Sequence, residues 1–187
     1  MSLETNIADI AGVLEYEDLI GVNLVGHSAT GTVIAGVAGR LPRRVRNVVY
    51  LDAVVPEDGQ SAWELLGVRD REWLEQMLAT SEHKWLLPVP EGDNLFGVRD
   101  ASDARWVKSK LTPQPIRPWR DAVHLSSPDG VKRSYIFCDW RNNGYAATAA
   151  RVRSDPAWQY RELKTGHDAM VTAPRELTDI LIELSAR

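Results

Sequence analysis

Val22-Asn23-Leu24-Val25-Gly26-His27-Ser28-Ala29-Thr30-Gly31 is the stretch on which the fold turns. An apolar, strand-like run enters a glycine, meets a lone serine, and leaves through small residues that open a helix-like segment. This is the layout of a nucleophile elbow, G-x-S-x-G, with Thr30 in the last position. A sharp strand-to-helix turn pushes the serine hydroxyl clear of the backbone. The residues two before and two after it must be small, or their side chains would collide across the turn. Such a turn can also be purely structural, so its flanks decide the reading. Val22 to Val25 reads as a buried strand. Val33, Ile34, Val37 and Ala38 recur at helical spacing, and Leu41-Pro42 ends the run.

Outward from this motif, apolar strands alternate with helices. Leu3, Ile7, Ile10, Ala11 and Leu14 predict an amphipathic helix over Leu3 to Leu19. Asn47 to Asp52 predicts a second strand ending in a carboxylate, Ser134 to Cys138 a third ending at Asp139, and Trp158 to Leu163 a fourth. Helices are expected over Thr30–Arg40, Tyr145–Arg153 and Pro174–Ala186, the last with proline at its start. Residues from Val54 to about Gly130 differ in character: they hold Trp63, Trp73, Trp85, Trp106 and Trp119 and most of the prolines. They read as a cap inserted over about residues 56–130 of a single domain spanning 1–187, with helices near Ser61–Leu66, Asp70–Thr80 and Ala101–Lys110. The expectation is therefore α/β: a mainly parallel sheet covered on both faces, plus a helical cap.

A chain of 187 residues, 44% hydrophobic and 26% charged, is long enough to bury one core. A net charge of −4, with no basic run longer than Arg43-Arg44 or Lys132-Arg133, gives nucleic-acid binding no support. No apolar stretch reaches the ~18 residues of a membrane span. Met1 to Thr5 lacks the basic start and apolar core of a signal peptide. The single cysteine, Cys138, fits a cytoplasmic protein. His27, His83, His124 and His167 are widely scattered, so no metal site and no cofactor is expected.

In parallel sheets function gathers at the carboxyl ends of the strands. Ser28, Asp52 and Asp139 each follow a strand directly, and His167 lies in the loop after the fourth, so these side chains should share one crevice. A serine hydroxyl needs a base to take its proton, and a histidine suits that task near neutral pH. A carboxylate then fixes the imidazole tautomer. His167, before the final helix, is the candidate base. Asp52 and Asp139 both stand where the acid is needed. The side chain of His27 is expected to turn away from the crevice and to serve as packing or pocket wall. His27, as pocket wall, Trp63 and Trp106 are candidates for substrate contact, and the backbone N–H of Ala29 for an oxyanion.

Leu24 to Ser28, Val49 to Ala53 with Val55 to Ser61, and Thr165 to Pro174 together resemble the α/β-hydrolase fold. Within that fold they resemble bacterial carboxylesterases related to plant salicylate-binding esterases and hydroxynitrile lyases. The resemblance implies hydrolysis of small carboxylic esters through an acyl-enzyme, with Ser28 as nucleophile and His167 as base. The plant members carry their acid two residues beyond Asp139, where this chain has Arg141. In the haloalkane dehalogenase branch it follows the strand that here ends in Asp52. Asp52 is therefore preferred and Asp139 is the alternative. Asp168 after His167, where the lyases carry lysine, disfavours cyanohydrin lysis. Ser28 in place of an aspartate disfavours dehalogenation.

Family members begin with further strands and a glycine-rich loop that supplies a second oxyanion donor. Their counterparts are not seen before Leu3. The resemblance thus implies an exposed sheet edge, and homo-oligomerisation through it is expected. A catalytically weak or inactive relative that binds a small hydrophobic ligand is the competing expectation.

Overall fold

The computed structural model describes residues 1–91, 95–126, 130–140 and 144–186. In chain order the first elements are α1 (Leu3–Tyr16), β1 (Val22–His27), α2 (Gly31–Arg40) and β2 (Val45–Leu51). The segment after β2 holds α3 (Ala62–Leu65), α4 (Val68–Thr80), β3 (Leu86–Leu87), α5 (Ala101–Lys110), β4 (Gln114–Pro115) and α6 (Arg117–Arg120). The chain closes with β5 (Lys132–Cys138), α7 (Ala146–Arg153), β6 (Trp158–Leu163), α8 (Ala169–Thr172) and α9 (Pro174–Ala186).

Four strands form one sheet in the order β1-β2-β5-β6, every pair parallel. Side chains alternate between its two faces. Val48, Tyr50, Tyr135 and Phe137 face a cluster built with α1, α2 and α7, while Val49, Leu51, Ile136 and Cys138 face Leu177 and Leu184 of α9. Fully burying each such aliphatic or aromatic side chain stabilises by roughly 1.5–3 kcal/mol, so the two clusters fix the register. His27 pairs with Leu51, Leu51 with Ile136, and Cys138 with Leu163. The carboxyl ends of all four strands are thereby aligned at one rim.

Local sequence explains the boundaries. Ser2 and Thr5 form a reciprocal capping box at the start of α1, and Leu3, Ile7, Ala11 and Leu14 bury its inner face. The helix stops at Tyr16 rather than reaching Leu19. Asp18 and Gly21 adopt left-handed conformations (φ +48° and +68°) that turn the chain back into β1. Gly31 is required where α2 meets the sheet: a Cβ there would lie 1.9 Å from the Val54 carbonyl oxygen.

Between β2 and β5 a separate small core gathers Leu66, Leu74, Leu78, Leu87 and Ile116, with Trp63, Met77 and Trp119 against it. The antiparallel pair β3–β4 is only two residues long on each side, too short to leave a period-two signal in the sequence. Among the described residues β1 has a strand neighbour on one side only. Val25 in that edge strand is 41% exposed. No described helix is long and apolar enough to cross a membrane.

Candidate active site

Ser28 follows β1 immediately and opens a single 3₁₀ turn, Ser28–Thr30, that runs into α2. Its backbone is left-handed, φ +60°, which is uncommon for a side chain with a Cβ and costs on the order of 1–3 kcal/mol. The turn is held from both sides: the Val54 N–H donates to the Ser28 carbonyl at 3.1 Å, and the Thr30 hydroxyl to the His27 carbonyl at 2.6 Å. Ala29 lies in the first turn, where backbone N–H groups have no partner within the helix. The Ser28 hydroxyl makes a hydrogen bond of 2.9 Å with the Tyr145 hydroxyl, not with an imidazole.

Asp52 follows β2 and is also left-handed, φ +42°, with its side chain fully buried. Its N–H donates to the Ile136 carbonyl at 2.7 Å, which pins the turn to β5. Its carboxylate receives the Cys138 N–H at 3.3 Å, the Trp140 indole N–H at 3.2 Å and His167 Nδ1 at 2.7 Å. With Nδ1–H directed at the carboxylate, Nε2 of His167 keeps its lone pair. Asp139 does not reach this cluster. It is exposed, its N–H bonds the Leu163 carbonyl, and it lines a cavity of about 900 Å³ with Lys164, Arg99 and Asp100. Arg141, which bears on the choice between the two acids, lies outside the described residues.

His167 is 5% exposed and ringed by aromatic groups. The His27 ring lies 4.2 Å away, Tyr145 is parallel to it at 5.4 Å and 9°, and Phe96 and Trp140 are each at 6.0 Å. Its loop is locked by a backbone crossing. Gly166 meets Gly97 so closely that a Cβ on Gly166 would lie 2.7 Å from the Gly97 carbonyl oxygen, and the Asp168 N–H donates to the Phe96 carbonyl at 3.2 Å.

His27 departs from its sequence-based reading. Its ring packs against His167 instead of turning away, and Nε2 meets the His167 carbonyl at 3.0 Å. A carbonyl only accepts, so Nε2 carries the proton and Nδ1 the lone pair. Burial, aided by the neighbouring His167, depresses its pKa from 6.5 to about 4. Burial likewise raises the Asp168 carboxyl above its usual value, with His167 opposing. Scattered in sequence, His27 and His167 converge in space, and with Asp168 they offer three potential metal-ligand atoms within 4.8 Å of one another.

The structure places the two tryptophans that were candidates for substrate contact as follows. Trp63 packs in the small core between β2 and β5 under the Arg120 guanidinium, 4.7 Å from its ring. Trp106 is 57% exposed on α5. Among the described residues neither makes a ring contact or hydrogen bond with Ser28 or His167. Sequence reasoning passed over Tyr145 and Trp140, although both follow β5 at the rim where function gathers.

Residues 2–180 match the alpha/beta hydrolase family. The chain is 36% identical, over 98% of its length and 79% of the relative's, to a carbendazim-hydrolyzing esterase of Nocardioides sp. (strain SG-4G). Among solved structures it superposes with a TM-score of 0.84 on an extracellular alpha/beta-hydrolase from a Paenibacillus species, described as sharing structural and functional homology with tobacco salicylic acid binding protein 2. That likeness has 20% identity and covers 98% of this chain and 79% of that one. A pyrethroid hydrolase (TM-score 0.72, 18% identity, 100% and 78% covered) and tomato methylketone synthase I complexed with 2-tridecanone (0.71, 15%, 96% and 77%) have the same fold. Elbow, sheet order and sequence similarity agree: the chain belongs to the alpha/beta hydrolase family.

Proposed function

We propose that this chain is a serine carboxylesterase acting on small carboxylic esters through a Ser28–His167–Asp52 triad. The observation that carries the reading is the 2.7 Å hydrogen bond between His167 Nδ1 and the buried Asp52 carboxylate, at the rim where Ser28 leaves β1. The name of the Nocardioides relative supports ester hydrolysis, and carbendazim belongs in the substrate panel for that reason.

In the proposed reaction Ser28 Oγ turns about χ1 from Tyr145 toward His167. Oγ then attacks the ester carbonyl carbon while its proton passes to His167 Nε2. The carbonyl electron pair moves onto oxygen, where the Ala29 N–H meets it. Collapse breaks the bond to the alkoxy oxygen, which takes the proton from His167 and departs as alcohol. Water repeats the sequence on the acyl-enzyme and releases the acid. Asp52 keeps the tautomer and stabilises the imidazolium throughout. Residues 56–130 act as the lid that excludes bulk water. The lone, buried Cys138 supports a cytoplasmic setting. A second copy pairing along the edge of β1 that has no strand neighbour among the described residues makes the working form an oligomer.

Hydrolysis of p-nitrophenyl acetate and butyrate by wild type and Ser28→Ala tests the assignment. Loss of the wild-type rate in Ser28→Ala is expected. Equal rates in the two proteins overturn the esterase reading and leave a ligand-binding relative of the fold.

A further inference from the structure

We propose that the Tyr145 hydroxyl is an oxyanion donor, hydrogen-bonding the negatively charged oxygen of the tetrahedral intermediate formed on Ser28. The proposal rests on Ser28 being the nucleophile. Tyr145 stands 117 residues later in the chain, at the start of α7, yet its hydroxyl lies 2.9 Å from Ser28 Oγ. Once Oγ bonds to the carbonyl carbon, the developing oxyanion is two bonds from Oγ. A donor that reaches the resting Oγ can meet that oxygen at the ~2.7–3.1 Å such contacts require once Oγ has turned to His167 and the oxygen takes the place it left.

The phenol is held for this use. Its ring lies parallel to His167 at 5.4 Å, which orients the hydroxyl alongside the base. α7 is tied to the segment after Asp52 by the Arg151 guanidinium, which donates to the Val55 carbonyl at 2.9 Å. The hydroxyl is protonated at neutral pH as any phenol is, and burial raises its pKa further. It thus donates a hydrogen bond without giving up a proton, and the atom balance of acyl transfer is unchanged. The turn of Oγ toward His167 frees the phenol, which is then open to the new oxygen charge as it forms. The same hydroxyl then passes from ground state to intermediate, the differential interaction that lowers a barrier.

The test compares wild type, Tyr145→Phe and Ser28→Ala on p-nitrophenyl butyrate, together with inhibition by an alkyl trifluoromethyl ketone. That inhibitor forms a tetrahedral oxyanion on a serine nucleophile. Tyr145→Phe is expected to lower kcat by ~10²–10³-fold with KM within about threefold of wild type. Inhibitor binding should weaken by the same factor as kcat. Loss of activity in Ser28→Ala with a Tyr145→Phe rate equal to or above wild type overturns the donor role and makes the contact packing or a resting-state lock. Reduced kcat with unchanged inhibitor affinity overturns it too. Equal rates in wild type and Ser28→Ala fail the nucleophile instead. A protein with 4-aminophenylalanine at position 145 keeps a donor on the same ring and covers the case in which Tyr145→Phe does not fold. It should bind the inhibitor within about tenfold of wild type; weaker binding overturns the proposal.

Discussion

Gly31→Ala should damage both stability and catalysis, and the structure sets how much. A Cβ at Gly31 would lie 1.9 Å from the Val54 carbonyl oxygen, 3.0 Å from its carbon and 3.3 Å from Tyr50 Cδ1. The obstacle at Val54 is backbone, so no side chain can swing aside. Restoring even a 3.0 Å separation means parting the two segments by about 1.1 Å. The Val54 N–H to Ser28 carbonyl bond, now 3.1 Å, joins the same two segments and would be stretched or lost. Overpacking costs ~1–3 kcal/mol and the hydrogen bond ~1 kcal/mol, about 2–4 kcal/mol together. For a domain of this size that is a melting temperature lower by roughly 5–15 °C. Ser28 and Asp52 stand on opposite sides of that contact. A shift near 1 Å between them should slow ester hydrolysis by about 10²-fold. Thermal melts by circular dichroism and p-nitrophenyl butyrate rates read the two effects. Gly12→Ala is the control: its nearest neighbour is Tyr16 at 4.0 Å, inside α1, and alanine there should add ~0.5–1 kcal/mol. A Gly31→Ala protein melting within about 2 °C of wild type, with a rate within about threefold, refutes the reasoning.

Three further outcomes are expected. Asp52→Asn should lower kcat/KM by ~10⁴-fold by releasing the wrong His167 tautomer, while Asp139→Asn stays within about threefold; the reverse order would make Asp139 the acid. His27 has a folded-state pKa of about 4 against 6.5 unfolded, so between those values the unfolded chain takes up a proton that the folded one refuses. Stability should therefore fall as pH drops from 6.5 to about 4 and level off below, by about 3 kcal/mol in all. His27→Gln should flatten that slope, and superimposable melting curves for the two proteins across the window would exonerate His27. Sedimentation at micromolar concentration should show an oligomer that Val25→Lys weakens, and a wild-type monomer would rule out pairing along β1.

Much of the fold was legible because its elements carry local signals. The alternation of strands and helices, the glycine before Ser28 and the loop position of His167 are all short-range patterns. The rim position of Asp52 and Asp139 was readable as well, but strand-end position left both open as the partner of His167, and only the family resemblance favoured Asp52. Asp52 receives Cys138 and Trp140 from β5 and the turn beyond it, a pairing set by sheet order rather than by spacing. His27 was misread for a related reason. Strand alternation gives the face of a side chain, yet at the last residue of β1 the turn redirects it toward a loop 140 residues away. Tyr145 carried no pattern of its own; only the fold brings it to Ser28. Trp63 and Trp106 were candidates for substrate contact in the cap. In the structure one fills a small core and the other faces solvent.

The left-handed backbone of Ser28 sets a hazard for laboratory evolution of this chain. Glycine fits φ near +60° without a Cβ clash. A library screened on melting temperature alone will therefore enrich Ser28→Gly, which relieves part of a ~1–3 kcal/mol strain. That change removes the proposed nucleophile, so thermostability and turnover are opposed at this position, whereas the buried Asp52 carboxylate is held by three N–H donors that an amide would not satisfy. Selection for a robust variant has to hold residue 28 fixed and look for its gains elsewhere, in helix interiors such as Gly12.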